Sequence, residues 1–343
     1  MLIVSLVTLG SPDQLTGGYL YHQRIADAAP AYDARIDFRP AKLTRNPFAG
    51  DADVILIDSI AAAFVAPWLW RRPAGPAFAA ILHQPPGGID HGPVRRAVQR
   101  RLDQMLYRRC VLLVAASAAL AEDLADTYGF ASDRIHVIPP GRDVAATPAR
   151  ARDLRDGRRA AFLSVGNWVE RKGTLELLEA FACLEGGLAT LHLVGRVDIE
   201  PRYTERVRTR LSAPDLSDRV VVHGPVPRDE VALLYASADG FVLPSLREPY
   251  GTVYGEAMAF GLPVVGWRAG NLPNLVEDGV HGVLIEPGHI NGLADGLRRL
   301  AIDEPWRHQL AEAARRRAEN FPTWNESAAE LFAALKRLAQ HTG

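Results

Sequence analysis

The run Val54-Ile55-Leu56-Ile57, framed by Asp53 and Asp58, decides the fold class. Consecutive apolar residues with no polar alternation suit a strand covered on both faces, the mark of a parallel sheet with helices on either side. Working outward, similar short runs recur at Leu2–Leu9, Ala77–Leu82, Val111–Ala116 and Arg134–Pro139. Helical patterns lie between them at Gly18–Ala29, Ser59–Trp70, Val94–Arg109 and Ser117–Tyr128. The alternation stops at Pro139-Pro140-Gly141, and the chain stays polar and rich in Arg and Asp to about Arg159. It restarts with Ala160–Val165, Thr190–Val194, Arg219–His223, Gly240–Leu243, Pro263–Trp267 and Gly282–Ile285. Helical stretches again intervene, among them Thr174–Leu184, Arg228–Ala238 and Thr252–Phe260. The pattern predicts two doubly wound α/β domains joined by a linker within Gly141–Arg159. A length of 343 residues fits two domains, since a domain takes roughly 100–200 residues.

Composition narrows the function. Hydrophobic residues at 48% and charged residues at 23% exclude a disordered, coiled-coil or collagen-like chain. A net charge of −1 weighs against a nucleic-acid partner, because proteins that live on phosphate backbones are usually basic. Cys110 and Cys183 cannot form a disulfide framework or a four-ligand zinc site, and the composition points to the cytoplasm. The apolar start Met1–Leu9 lacks a basic leader and a small-residue cleavage site, and it ends at the turn Gly10-Ser11-Pro12-Asp13, so it reads as a buried first strand. Only Lys42, Lys172 and Lys336 are lysines, against 36 arginines. A lysine is therefore the more informative cation in this chain.

The most informative segment for function follows the strand Phe241-Val242-Leu243 and reads Pro244-Ser245-Leu246-Arg247-Glu248-Pro249-Tyr250-Gly251-Thr252-Val253-Tyr254-Gly255-Glu256-Ala257-Met258. Pro249 and Gly251 mark a loop, and a helix is expected from about Thr252. Glu248 then lies in the loop and Glu256 about one turn into the helix, whose free amides at Gly251, Thr252 and Val253 favour a phosphate. This string resembles the E-x7-E motif of the retaining, nucleotide-sugar-dependent glycosyltransferases of family 4, which have the GT-B fold. Ordered blocks along the whole chain carry the same resemblance. They are Gly17-Gly18, Ser117, Ile138-Pro139-Pro140-Gly141, Ser164-Val165-Gly166-Asn167 with Lys172-Gly173, His223-Gly224-Pro225-Val226, Pro244-Ser245, and Gly270-Asn271-Leu272-Pro273 before Val276-Glu277-Asp278-Gly279.

The resemblance implies two Rossmann-like, doubly wound parallel-sheet domains facing a cleft. Residues 1–143 would form an acceptor-binding domain, 144–159 a linker, 160–320 the nucleotide-sugar-binding domain, and 321–343 a C-terminal helix crossing back to the N-terminal domain. It implies that Glu248 sits beside the transferred sugar, that Glu256 accepts hydrogen bonds from the ribose hydroxyls, and that Lys172 contacts the diphosphate. Tyr250, Gly251, Thr252 and Val253 would line the donor site, with the base met near His223–Val226. Where many relatives carry a diphosphate-binding arginine this chain has Asn167, and Arg171 stands as the substitute cation. Gly17 and Gly18 would let backbone approach a phosphate or the acceptor without a Cβ in the way, and His83 would contact the donor sugar.

The implied activity is metal-independent transfer from a nucleotide diphosphate sugar to a small-molecule, glycan or lipid-linked acceptor. No cofactor is called for, and UDP donors are favoured on family frequency alone. A nucleotide-sugar epimerase of the same architecture and a non-catalytic sugar-nucleotide-binding relative are the alternatives. Competing signals fail on placement. Asp51-Ala52-Asp53 spells a metal-binding D-x-D triplet but precedes an apolar strand instead of following one. The first strand is not followed by G-x-G-x-x-G, Gly166–Thr174 does not fit a phosphate-binding P-loop, and Ser117 lacks a nucleophile elbow. Finally, Val94–Cys110 holds Arg95, Arg96, Arg100, Arg101, Arg108 and Arg109 against Asp103, with an apolar stripe of Val94, Val98, Leu102, Met105 and Leu106. It reads either as a helix packing that stripe on the sheet or as a basic amphipathic helix for peripheral contact with anionic lipid, over residues 94–110.

Overall fold

The computed structural model describes residues 1–9, 17–42, 46–48, 50–71, 75–90, 92–142 and 152–340. The turn read at Gly10-Ser11-Pro12-Asp13 and residues 144–151 of the expected linker lie outside them. The chain divides into two compact units, Met1–Asp143 with Pro322–Gly343, and Val144–Phe321.

In the first unit, β1 (Leu2–Thr8), β2 (Ala34–Pro40), β3 (Val54–Asp58), β4 (Ala77–Leu82), β5 (Leu112–Ala115) and β6 (Ile135–Val137) form one sheet in the order β2-β1-β3-β4-β5-β6. Every pairing is parallel. Val54 and Leu56 pack into a core with Tyr21, Ile25 and Phe332, whereas Ile55 and Ile57 pack into another with Phe78, Leu106 and Tyr107. Successive strand residues point to opposite faces, so a doubly covered strand must be apolar throughout. β2 escaped the sequence pattern because Arg35, Asp37 and Arg39 alternate with Ile36 and Phe38 at the sheet edge, where the side chains are only half-covered.

In the second unit, β7 (Ala160–Val165), β8 (Ala189–Val194), β9 (Val220–Gly224), β10 (Gly240–Val242), β11 (Val264–Trp267) and β12 (Gly282–Ile285) form a parallel sheet ordered β12-β11-β10-β7-β8-β9. Residues 152–159, expected to be linker, are packed on this unit instead. Leu154 is buried in its core, and Arg155 donates two hydrogen bonds to Asp239, at 2.8 and 2.6 Å. The Arg and Asp content there reflects ion pairing, not a spacer.

The helix Trp324–Gln340 closes the first unit. Ala328, Leu331, Phe332 and Leu335 join the core of Leu2, Val4 and Leu6. Ser327 Oγ donates to the Pro139 carbonyl at 2.8 Å, and Tyr32 Oη to that of Asn325 at 2.9 Å.

The helix Pro93–Tyr107 corrects the packing reading of the sequence. Leu106 and Tyr107 are buried with Asp103, but Val94, Val98 and Met105 are 78%, 57% and 55% exposed. The inward face is fixed by Asp103, whose Oδ2 accepts the Gly87 amide at 2.8 Å. Burial pushes the Asp103 carboxyl up to about 7, against the hydrogen bonds from Gly87 and Gln99. A carboxyl raised on folding contributes stability in acid, below its unfolded value, and that contribution is lost as pH rises through about 7. Asp103→Asn keeps the acceptor for Gly87 and does not ionise. Its melting temperature relative to the parent should therefore rise by several degrees between pH 5 and pH 8, the energy at stake being on the order of 2–4 kcal/mol. An offset that is the same at both pH values contradicts this assignment.

Candidate active site

Open parallel sheets bind ligands beyond the carboxyl ends of their strands, at the point where the strand order reverses. In the second unit β7 lies between β8 and β10, so that point falls between β7 and β10. The loops after these two strands carry Arg171, Lys172 and Glu248.

The loop after β7 ends in a single 3-10 turn, Glu170–Lys172, before the helix Thr174–Ala182. Gly173 terminates the turn with φ 71°, and a Cβ there would lie 2.2 Å from the Pro244 carbonyl oxygen. Conformation and space both demand glycine. The close approach locks the two loops together. The Leu246 amide donates to the Arg171 carbonyl at 2.8 Å, and Ser245 Oγ donates to the same oxygen at 3.1 Å. Glu248 Oε1 then accepts from Lys172 Nζ at 2.6 Å and Arg171 Nη1 at 2.8 Å, and it faces Ser245 Oγ at 3.3 Å as the alternative acceptor for that one hydroxyl proton. The three charged side chains are 11% (Glu248), 12% (Lys172) and 21% (Arg171) exposed, so their charges are only partly screened by water. Two cations face one carboxylate, and an added anion would balance the surplus charge.

The helix Thr252–Ala259 begins after Gly251, which also has positive φ, at 84°. On it, Glu256 Oε2 accepts from Tyr235 Oη at 3.4 Å, a hydroxyl that the Val253 carbonyl also faces at 3.4 Å. Burial first, then the Glu256 charge, raises the Tyr235 phenol well above its ordinary value. Burial pushes the Tyr250 phenol up to about 12. Asn271 holds this loop from β11's side. Its amide donates to the Glu248 carbonyl at 3.0 Å, and its Nδ2 to that of Tyr250 at 2.9 Å. The sequence offered Asn271 only as part of a block, without this positioning role.

Asn167 serves another end. Its Oδ1 accepts the Arg196 amide at 3.1 Å and ties the loops after β7 and β8. Val226 is half-buried against the core of Leu234 and Tyr235. Nearby, His192 Nδ1 and His223 Nε2 lie 3.0 Å apart, and burial lowers both imidazoles.

In the first unit the order reverses between β1 and β3. Gly17 and Gly18 open the helix Gly17–Ala28, and His83 follows β4. A Cβ on Gly18 would meet His83 Cδ2 at 3.3 Å, so the ring lies over the start of the helix and glycine leaves it room. His83 Nε2 is buried without a hydrogen-bond partner among the described residues. His22, which carried no motif in the sequence, proves to be buried beside it and beside Asp58. The side chains of His22, Asp58 and His83 offer metal-ligating atoms within 4.8 Å of one another. Asp58 Oδ2 is already engaged, 2.9 Å from His22 Nε2 and 2.8 Å from Thr8 Oγ1. In the Asp51-Ala52-Asp53 triplet, Asp53 Oδ2 accepts the Ile3 amide at 2.7 Å, at the amino end of the sheet.

Residues 4–146 match the family described as Glycosyltransferase Family 4, and residues 147–317 that described as Glycosyl transferases group 1. A D-inositol 3-phosphate glycosyltransferase of Xylanimonas cellulosilytica is 34% identical over 232 residues, 64% of this chain and 55% of the relative. Among solved structures, sucrose-phosphate synthase from Thermosynechococcus elongatus superposes with a TM-score of 0.83 at 20% identity, over 99% of this chain and 100% of that one. Anabaena HepE in complex with UDP-glucose gives 0.79 at 21% identity, over 97% and 100%. Two doubly wound parallel-sheet units with these neighbours define a GT-B fold. The chain belongs to the family-4 glycosyltransferases. Its matches span 55% to 64% of the length of the first curated relatives.

Proposed function

We propose that this chain transfers a sugar, with retention of anomeric configuration, from a nucleotide diphosphate sugar to an acceptor. The observation that carries the reading is the meeting of Arg171, Lys172 and Glu248 at the strand-order reversal of the second unit. As the sugar departs, negative charge grows on the diphosphate and positive charge on the anomeric centre. Lys172 and Arg171 stabilise the first, and Glu248 orients the sugar and supports the second. Arg171, on the same carboxylate oxygen as Lys172, takes the part of the arginine missing at Asn167. Glu256 holds the ribose, and the amides opening the helix Thr252–Ala259 face phosphate. The first unit binds the acceptor, and His83 is read as a sugar-contacting residue.

The test is a thermal-shift screen with UDP, GDP and ADP. A ligand that binds only the folded state raises its apparent stability, and we expect UDP to give the largest shift. No shift with any of the three contradicts the reading. Because Lys172 and Arg171 do a cation's work, the UDP shift and transfer activity should both survive EDTA. Activity that vanishes in EDTA and returns with Mg²⁺ or Mn²⁺ contradicts this charge assignment.

A second reading concerns where the chain works. Among the described residues no helix is long and apolar enough to cross a membrane. The exposed Val94, Val98 and Met105 lie on one side of the helix Pro93–Tyr107, among arginines whose helix offers no acid but the inward Asp103. Apolar side chains ringed by cations suit an anionic bilayer surface. The chain should therefore bind anionic liposomes at low salt, lose that binding as salt rises, and lose it in the variant Arg95→Glu/Arg100→Glu/Arg101→Glu. Indifference to such vesicles at low salt leaves the helix a solvated face.

A further inference from the structure

Three strand ends of the first unit converge on one buried carboxylate, that of Asp58, which is 2% exposed. Its Oδ2 accepts from Thr8 Oγ1, at the end of β1, at 2.8 Å and lies 2.9 Å from His22 Nε2, on the helix Gly17–Ala28. Its Oδ1 accepts from the Ser59 hydroxyl at 3.3 Å and from the Ile60 amide at 3.2 Å. Ser59 Oγ in turn accepts the backbone amide of His83, just beyond β4, at 3.2 Å. The His22 ring meets the His83 ring edge-on with centroids 5.0 Å apart, and Tyr21 meets it at 5.2 Å. Asp58 thus reaches His83 by two routes, through Ser59 to its backbone and through His22 to its ring. Against this saturated network, His83 Nε2 stands buried and, among the described residues, unpartnered. A buried polar atom left unpaired costs free energy, and proteins retain few of them.

We propose that the Asp58–His22 pair is a positioning device, which fixes the His83 ring over Gly18 so that Nε2 is presented to a substrate hydroxyl. The proposal rests on the reading of His83 as a sugar-contacting residue. Burial first, then the His22 charge, push the His83 imidazole down to about 4, opposed by Asp58. At neutral pH it is a hydrogen-bonding group and a poor proton acceptor, so its orientation is what matters. Burial acts upward on Asp58, but His22, His83 and Thr8 together bring its carboxyl down to about 2. Asp58 remains an anion able to hold His22. Neither Asp58 nor His22 touches substrate in this arrangement.

The test uses the full chain. Long-range ¹H–¹⁵N spectra of the histidine rings at pH 7 should show a neutral His83, with its ring resonances displaced in Asp58→Asn and in His22→Ala. His22→Gln, which retains a donor toward Asp58, should restore them toward the parent. With UDP-glucose as the probe donor, Asp58→Asn should lower kcat by about tenfold at nearly unchanged donor KM, and should cost less than about twofold more when His83 is already alanine. Unchanged His83 resonances in both Asp58→Asn and His22→Ala overturn the proposal even if one variant is destabilised. So does an Asp58→Asn penalty of equal size with and without His83. Full activity in His83→Ala brings down the underlying reading of His83 instead, which keeps the two failures apart.

Discussion

Lys172→Ala should lower kcat by roughly 10²–10³-fold, the loss expected when one preorganised electrostatic donor is removed from a developing charge. Lys172 is placed for the proposed task. Its backbone is fixed by the Gly173 turn against Pro244, and its ammonium lies 2.6 Å from Glu248 Oε1. Because the charge on the diphosphate grows as the sugar leaves, kcat should fall further than donor affinity. Arg171→Ala should act in the same direction but less severely, since Arg171 also donates to the Arg247 carbonyl at 3.0 Å and so serves the loop as well as the cluster. The measurement is steady-state kinetics at saturating donor. A Lys172→Ala enzyme with parental kcat removes the lysine from the chemistry.

The second large effect divides the two glutamates. Glu248→Gln keeps the shape and reach of the side chain and removes its charge, so kcat should fall by about 10²-fold, with little change in donor KM. Glu256→Ala should behave in the opposite way. The proposed ribose contact would be equally strong in the ground and transition states, so donor KM should rise by about tenfold or more and kcat should stay close to the parent. Tyr235 gives a structural check, because its hydroxyl donates to Glu256 at 3.4 Å and loses that acceptor in Glu256→Ala. Tyr235→Phe removes the donor while leaving Glu256 in place, and should therefore cost much less in KM. If Glu256→Ala loses kcat while Glu248→Gln loses only donor affinity, the two carboxylates have been assigned in reverse.

What was legible in the sequence follows from how the parts are covered. Interior strands such as Val54–Asp58 and Ala77–Leu82 are buried on both faces and announce themselves as unbroken apolar runs. β2 and residues 152–159 do not, because half their side chains meet water or pair as ions. Lys172 and Glu248 stood out because lysine is rare here and the glutamate lies in a long motif after a strand. Arg171 was named from the sequence as the substitute cation, but only its guanidinium on the Glu248 carboxylate sets it apart from the many other arginines. Asp58 and His22 are separated by 36 residues and belong to elements that read simply as core, so no local spacing could pair them. The exposed Val94 and Val98 fit a helical period as well as buried residues would, and only the position of Asp103 shows which face turns inward.

Arg171 and Lys172, both held on Glu248 Oε1, are the proposed seat of the donor diphosphate. Calorimetric titration of UDP into the parent, Lys172→Ala and Glu248→Gln tests it most directly. Glu248→Gln keeps both cations in the site, so it should bind UDP about as tightly as the parent, and Lys172→Ala should bind it more weakly. Loss of UDP binding in Glu248→Gln with parental affinity in Lys172→Ala would contradict the account.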